Sequence, residues 1–297
     1  VAIVDNELSI YGDDAFASMD VGHLMRLGHP DVADGDEHIV GVVERFLAGR
    51  TDRAVVLDIG AGSGDLTSLL ARRLDHLDVV AVEPAPGPAG QAARKTAGLG
   101  NAAVFDRPFE EWHQPVDVAV SWGSHHHLAH DYLHHAASLL GSDGLLVVGD
   151  EFCPEHLTPT DRDRLARAEH LEIVDGIVFD DRGEAEAARA GRPPPAWNAR
   201  LESDRRRALW TWYRFVCDYA AERGQWDVVI AELAIARNDL VTAYGGEHKT
   251  TPLLLERELA LAGFEIVERV VIGDREPELR SFVVYTCRLA PAQDGAR

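Results

Sequence analysis

Apolar residues along this chain follow two rhythms. Ala54-Val55-Val56-Leu57-Asp58-Ile59 is an apolar run broken by a single acid and ended by glycines, which suits a strand buried on both faces of a parallel sheet. Val79-Val80-Ala81-Val82, ending at Glu83-Pro84, has the same character, as do Ala102 to Phe105, Val116 to Val120 and Leu145 to Val148. Between these runs, apolar residues recur at helical spacing over His38 to Leu47, Leu66 to Leu74, Ala89 to Ala97 and Tyr132 to Leu140. Strands alternating with helices predict βαβ units and an α/β fold around a mostly parallel sheet.

From Pro154 to Thr250 the strand rhythm stops and only helical patterns recur, at Asp161 to Val174, Asp204 to Glu222 and Trp226 to Ala243. The stretch Gly191-Arg192-Pro193-Pro194-Pro195 separates them as a loop. A helix at Pro252 to Ala262 then precedes strands at Phe264 to Ile272 and Phe282 to Arg288, which have no helix between them and so predict an antiparallel final hairpin. At the other end, Gly28-His29-Pro30 and Gly35-Asp36 read as turns after a short helix near Ala15 to Arg26. The expected organisation is an N-terminal helical cap (1–37), a core (38–153 and 251–290), a helical lid or substrate insertion (154–250) and a disordered tail (291–297).

Composition narrows the partners. A chain of 297 residues is long for one simple sheet domain and short for two, which fits one core with an insertion. The net charge of −21 counts against a nucleic-acid partner, with Arg205-Arg206-Arg207 as the one basic run, and favours a small-molecule substrate. No apolar run reaches the roughly 18 residues of a membrane span, and the first residues lack a basic leader with an apolar core, so no membrane partner and a cytoplasmic location are expected. Cys153, Cys217 and Cys287 share no close spacing and read as reduced core cysteines. Lysine is confined to Lys95 and Lys249 while arginine and alanine abound, a bias of GC-rich bacterial genomes. A homodimer is left open.

The chemistry is concentrated in Asp58-Ile59-Gly60-Ala61-Gly62-Ser63-Gly64-Asp65, where a strand ends, the backbone turns and a helix begins. Glycines there permit unusual torsions and close approach of a ligand, and the helix N-terminus offers N–H groups to an anionic group. Glu83 ends the next strand, where a carboxylate can accept both ribose hydroxyls of an adenosine. A dinucleotide-binding turn would read G-x-G-x-x-G. Here the third glycine comes one residue early and an acid precedes the first, which disfavours an NAD-dependent oxidoreductase.

These residues resemble the class I S-adenosylmethionine-dependent methyltransferases. The resemblance implies a Rossmann-like seven-stranded sheet whose last strand is inserted antiparallel, with S-adenosyl-L-methionine as cofactor and S-adenosyl-L-homocysteine as product. It implies cofactor contacts from Asp58, Gly60, Gly62, Glu83 and Pro84. Pro108 and Phe109, after the third strand, would lie against the adenine, and Ser121 and Trp122, at the fourth strand end, near the sulfur. Tyr11 would fold over the cofactor from the N-terminal cap. A serine followed five residues later by histidine, here Ser121 and His126, is a frequent pattern in the family.

Methyl transfer needs an aligned nucleophile, exclusion of water and sometimes a base. His126 or His127 could supply the base; the bland alternative is that the run His125 to His127, with His130, His134 and His135, lines the cleft and a solvated helix. Its i, i+4 spacings also suit a metal, but Asp131 looks like the helix start, which leaves His126 and His127 in a loop, and no metal is expected. Glu151, after the fifth strand, is a second candidate base or substrate anchor, against a capping or salt-bridging role. Trp210, Tyr213, Arg214 and His248 are the substrate-binding candidates of the insertion, although Trp210, Tyr213 and Cys217 share one helical face, which is more often core. The expected reaction is methyl transfer to an O, N or C nucleophile of a small molecule, in bacterial specialised metabolism. The alternatives are a non-methylating cofactor-binding protein (cyclase-like or regulatory) on the same fold, or a protein-modifying methyltransferase.

Overall fold

A computed structural model describes residues 31–50, 52–128, 131–152, 172–174, 177–179, scattered helical positions from 210 to 236, 252–273 and 282–291. Nine strands are present among them: β1 (Ala54–Ile59), β2 (Leu77–Val82), β3 (Ala102–Phe105), β4 (Val116–Trp122), β5 (Leu140–Glu151), β6 (Glu172–Val174), β7 (Ile177–Phe179), β8 (Phe264–Val271) and β9 (Phe282–Leu289). The continuous α-helices are α1 (Asp31–Leu47), α2 (Asp65–Arg73), α3 (Pro86–Thr96), α4 (Tyr132–Leu139) and α5 (Pro252–Leu261). The main sheet has seven strands in the order β3-β2-β1-β4-β5-β9-β8. Strands β1 to β5 pair in parallel, and β9 enters antiparallel between β5 and β8. This is the expected Rossmann-like sheet with its last strand reversed.

Alternation along each buried strand divides the core into two layers. Val56, Val118, Val120, Val147 and Val284 face Ile39, Val43 and Leu70 of α1 and α2. Leu57, Ile59, Leu146, Val148 and Tyr285 face Tyr132, Leu133, Leu255 and Leu259 of α4 and α5. Successive strand residues thus serve opposite layers, and both faces are covered, which is why these strands read as continuous apolar runs.

Three local expectations are corrected. The first helix begins at Asp31 rather than His38, so Gly35 and Asp36, read as a turn, lie inside it. Gly35 is there for close packing: a Cβ on it would overlap the Trp122 ring, and a Cβ on Gly149 would sit 2.5 Å from the same ring. The helix expected over Asp161 to Val174 gives way to strand at 172–174, which pairs antiparallel with 177–179. Two β-branched and aromatic triplets separated by Asp175-Gly176 are a hairpin signal that the helical periodicity masked. Finally, β5 begins at Leu140 rather than Leu145. The short helix near residues 15–26, the turn at 28–30, the loop at 191–195 and the tail beyond 291 lie outside the described residues. No helix among the described residues is long and apolar enough to cross a membrane.

The register aligns the strand ends. Ile59 pairs with Val82 and Ser121, Ser121 with Val148, and Trp122 with Gly149. The carboxyl ends of β2, β1, β4 and β5 therefore reach one level, and bring Glu83, Gly60, the segment after Trp122 and Asp150 to a single edge of the sheet.

Candidate active site

The turn after β1 is built from three left-handed glycines, Gly60 (φ 69°), Gly62 (φ 53°) and Gly64 (φ 77°). Their surroundings differ. A Cβ on Gly60 would come 2.5 Å from Ser124 Cβ, and one on Gly64 2.8 Å from Ala92 Cα, so both positions are closed by the protein itself. A Cβ on Gly62 would meet nothing within 4 Å. Of the three glycines, Gly62 alone has open space beside its Cα. Its N–H donates to Glu83 Oε2 at 2.9 Å, while the Ala85 N–H donates to Oε1 at 2.9 Å. Burial pushes the Glu83 carboxyl above its usual range, against the pull of these two N–H groups. Each oxygen keeps a further lone pair, so the carboxylate is fixed in place and still able to accept two hydroxyls.

Asp58 lies beneath this turn. It is buried and accepts the Thr67 hydroxyl at 2.5 Å. Burial, reinforced by the charges of Asp36 and Glu83, pushes its carboxyl up to about 7, against the Thr67 hydrogen bonds. Asp36, on α1, is itself buried. Three acids thus surround the turn, a field suited to a ligand carrying positive charge.

Beyond β4 the chain makes a single 3₁₀ turn, His125–His127, before α4. Asp150, buried near the end of β5, accepts from the His126 backbone N–H at 3.0 Å. The same carboxylate contacts His126 Nδ1 at 2.8 and 2.9 Å and accepts the Glu151 N–H at 2.7 Å. Burial alone would raise Asp150; the His126 charge and hydrogen bond, with the His125 charge and the Glu151 N–H, hold it well below the usual carboxylate range. An ionised acceptor at Nδ1 fixes the donor proton there and leaves Nε2 as the basic nitrogen of the neutral ring. His125 has its own partners, Glu258 Oε2 on α5 at 3.1 Å from Nε2 and the Tyr132 hydroxyl at 3.0 Å from Nδ1. Ser124 donates to the Ile59 carbonyl at 2.6 Å and pairs with Ser121 at 2.9 Å, which ties this turn to the glycine turn.

The remaining candidates fall in several places. Glu151 is buried beside Asp150, while His127 is exposed with its ring 4.0 Å from that of His126. Ser121 is fully buried with its hydroxyl on Ser124, and Trp122 is wedged between Gly35 and Gly149, so both side chains serve packing at the strand end. Pro84 and Pro108 are exposed at strand exits. Phe109, expected against the adenine, is a core residue whose ring lies 4.8 Å from that of His135. In the insertion Trp210 and Arg214 are exposed and Tyr213 fully buried, so the face shared by Trp210 and Tyr213 is split between surface and core. Tyr11, His130 and His248 lie outside the described residues. Helix α4 starts after Asp131, as expected, and His134 is exposed on it. No group of three or more His, Cys, Asp and Glu residues among the described residues is placed to hold a metal ion. Sequence reading missed Asp36, Tyr132 and Glu258, and took His125 only as part of a run lining the cleft.

A glycine turn with one open glycine, a strand-end acid held by two backbone N–H groups and two further buried acids share the carboxyl edge of a sheet with a reversed last strand, an arrangement similar to the cofactor site of class I methyltransferases. Comparison with known proteins agrees. Residues 57–146 match the family model described as a methyltransferase domain. A release factor glutamine methyltransferase of Geobacter sulfurreducens is 34% identical over 134 residues, which are 40% of this chain and 46% of that protein. The chain thus spans about half the length of the curated relative it matches. Among solved structures, the fold is similar to Burkholderia thailandensis 1,6-didemethyltoxoflavin-N1-methyltransferase, solved with 1,6-didemethyltoxoflavin and S-adenosylhomocysteine (TM-score 0.50, 16% identity, 95% of this chain and 85% of that one). It is also similar to a putative methyltransferase of Haloferax volcanii in complex with the Trm112 activator (TM-score 0.51, 11% identity, 95% and 97%). The chain thus contains a methyltransferase domain over residues 57–146.

Proposed function

We propose that this protein transfers the methyl group of S-adenosylmethionine to a protic O or N nucleophile, or an acidic C–H, of a small molecule, with His126 as the base. The observation that carries this reading is the buried His126–Asp150 pair on the same sheet edge as Gly62 and Glu83. When bound, the cofactor supplies a sulfonium-activated methyl group. Glu83 holds the ribose hydroxyls, the Gly62 backbone gives room for the ligand, and Asp36, Asp58 and Glu83 favour its positive charge. Asp150 keeps the Nδ1 proton of His126, so Nε2 can take the proton that the nucleophile loses. Such a base contributes roughly 10²- to 10⁴-fold in rate. The acidic chain, with its −21 net charge, favours a neutral or cationic small acceptor and a setting in bacterial specialised metabolism. The insertion after β5, with Trp210 at its surface, is the natural place for acceptor selection.

The likeness to a release factor glutamine methyltransferase supports a second reading, methylation of a protein side chain. Incubation with methyl-labelled cofactor and a panel of phenols, amines and cellular protein separates the two. Label in a small product that depends on His126, and is lost in His126→Gln, supports the first. Label in protein alone transfers the proposal to the second. Cofactor binding by calorimetry with no label moved would point to a non-methylating protein, and no binding of either cofactor or product would sink all of these.

A further inference from the structure

Helix α3 holds the glycine turn from outside. At its start, the N-cap residue Ala85 donates its N–H to Glu83 Oε1. Toward its end, α3 lies so close to the turn that a Cβ on Gly64 would come 2.8 Å from Ala92 Cα. Lys95, in the last turn of α3, reaches the two residues on either side of Gly64. Its ammonium donates to Asp65 Oδ2 at 2.8 Å and to Ser63 Oγ at 3.1 Å. Ser63 Oγ donates to the same Asp65 oxygen at 2.6 Å. An ammonium only donates and a hydroxyl has one proton, so the triangle closes in one sense: Lys95 gives to both partners, and Ser63 gives to Asp65. The ion pair is largely covered, with side chains 26% and 28% exposed.

We propose that Lys95 is a positioning residue for the cofactor: it closes the second half of the glycine turn and so fixes Gly62 against Glu83. Ser63 sits between two left-handed glycines, whose backbone loses the most freedom on ordering. The first half of the turn is tied down by Ser124 on the Ile59 carbonyl and by Glu83 on the Gly62 N–H. The second half, Ser63 to Asp65, is tied by the Lys95 triangle. Helix α3 therefore braces the site at two points, Ala85 on the acid and Lys95 on the turn. The residue type suits the task. Lysine occurs only at 95 and 249 in a chain otherwise served by arginine. A compact ammonium meets Ser63 and Asp65 from one atom, which a planar guanidinium does not reproduce. An ion pair serving only the two helix ends would have no use for Ser63.

The proposal rests on reading the turn as the S-adenosylmethionine site, but not on methyl transfer. Calorimetry of the full chain with S-adenosylmethionine and with S-adenosylhomocysteine, beside thermal melts, tests it. Lys95→Met keeps the apolar stem and removes the three donors. Both affinities are expected to fall by roughly three- to tenfold. They should fall by the same factor, because the two ligands share the adenosine and differ by one positive charge. Lys95→Arg should recover only part of the loss. In a double-mutant cycle, Lys95→Met with Asp65→Asn should bind no worse than the weaker single variant, since the two act through one contact. Unchanged affinity in a folded Lys95→Met of lower melting temperature would reduce the residue to a structural brace and overturn the proposal. So would weaker S-adenosylhomocysteine binding with tighter S-adenosylmethionine binding, which would show Lys95 acting on ligand charge. Should Lys95→Met not fold, Ser63→Ala removes one side of the triangle, and unchanged affinity there overturns the role equally. If the wild type binds neither ligand, the cofactor reading falls and takes this proposal with it. If it binds both but moves no methyl group, only the proposed transfer fails, and the titrations still decide the role of Lys95.

Discussion

Replacing Asp150 by asparagine isolates the part of the site proposed to take the proton. The side chain keeps its size, but one of its two acceptor oxygens becomes an NH₂ donor. Asp150 Oδ1 receives the Glu151 N–H at 2.7 Å and Oδ2 the His126 N–H at 3.0 Å, with Nδ1 between them at 2.8 and 2.9 Å. Whichever oxygen is replaced, a donor then faces a backbone donor in a site 1% exposed. Leaving one such group unpaired costs about 1–3 kcal/mol of stability. Rotation of the amide toward Nδ1 would also drive the imidazole proton to Nε2, the nitrogen that must stay free. The expected kcat loss is roughly 10²- to 10³-fold, or about 2.7–4 kcal/mol of barrier. Single-turnover methyl transfer followed against pH, with a thermal melt of the same sample, measures both. Recovery of the rate above the acceptor's own pKa would be expected, since an ionised nucleophile no longer needs the base. A folded variant with kcat within about threefold of wild type would refute the role given to the pair. The sign with pH is also set. Asp150 is depressed in the fold, so its stabilisation is present at neutral pH and lost as pH falls below the ordinary carboxyl range, about 4; Asp150→Asn should flatten that acid limb.

Three further outcomes are expected from the same geometry. Asp58 is raised to about 7, so the folded state holds its proton more tightly than the unfolded one and apo stability should fall as pH rises from the ordinary carboxyl range to neutrality. Asp58→Asn should remove that slope, raise the apo melting temperature at pH 8 by an amount worth on the order of a few kcal/mol, and weaken cofactor binding in calorimetry; a variant less stable at pH 8 would contradict it. Gly62→Ala places a methyl where the protein has open space, so melting should drop by only ~1–2 kcal/mol for the left-handed torsion while cofactor affinity falls at least tenfold. Equal losses in both would show that Gly62 does not face the ligand. Gly35→Ala should cost about 1–3 kcal/mol in denaturant melts because α1 can no longer close on Trp122, and Trp122→Phe in the same chain should recover part of it.

The sheet was legible because its strands are covered on both faces, so burial wrote itself into the chain as apolar runs at Val56, Val79, Val118 and Val147. The position of Glu83 at the end of a buried strand was legible for the same reason, whereas its carboxylate's hold on the Gly62 and Ala85 N–H groups was not. What escaped reading depends on contacts between distant segments. Gly35-Asp36 looks like a turn until Trp122 is placed against it. His125 and His126 are the same residue type in adjacent positions, and only Glu258 and Asp150, far along the chain, tell them apart. Phe109, matched to the adenine by the resemblance, lies in the core with its ring against that of His135, a contact the sequence did not signal. Asp175-Gly176 was present as a turn signal but was outweighed by helical spacing around it.

The wedge of Trp122 between Gly35 and Gly149 has an evolutionary consequence. Three positions from three separate elements share one fixed volume, so none can drift alone. Homologous chains that carry a smaller residue at position 122 should carry alanine or larger at 35 or 149, and those that keep the tryptophan should keep both glycines. Such a size covariation would mark the subset of relatives whose first helix closes on the sheet in this way. It would sort them by how the cofactor edge is assembled rather than by what they methylate.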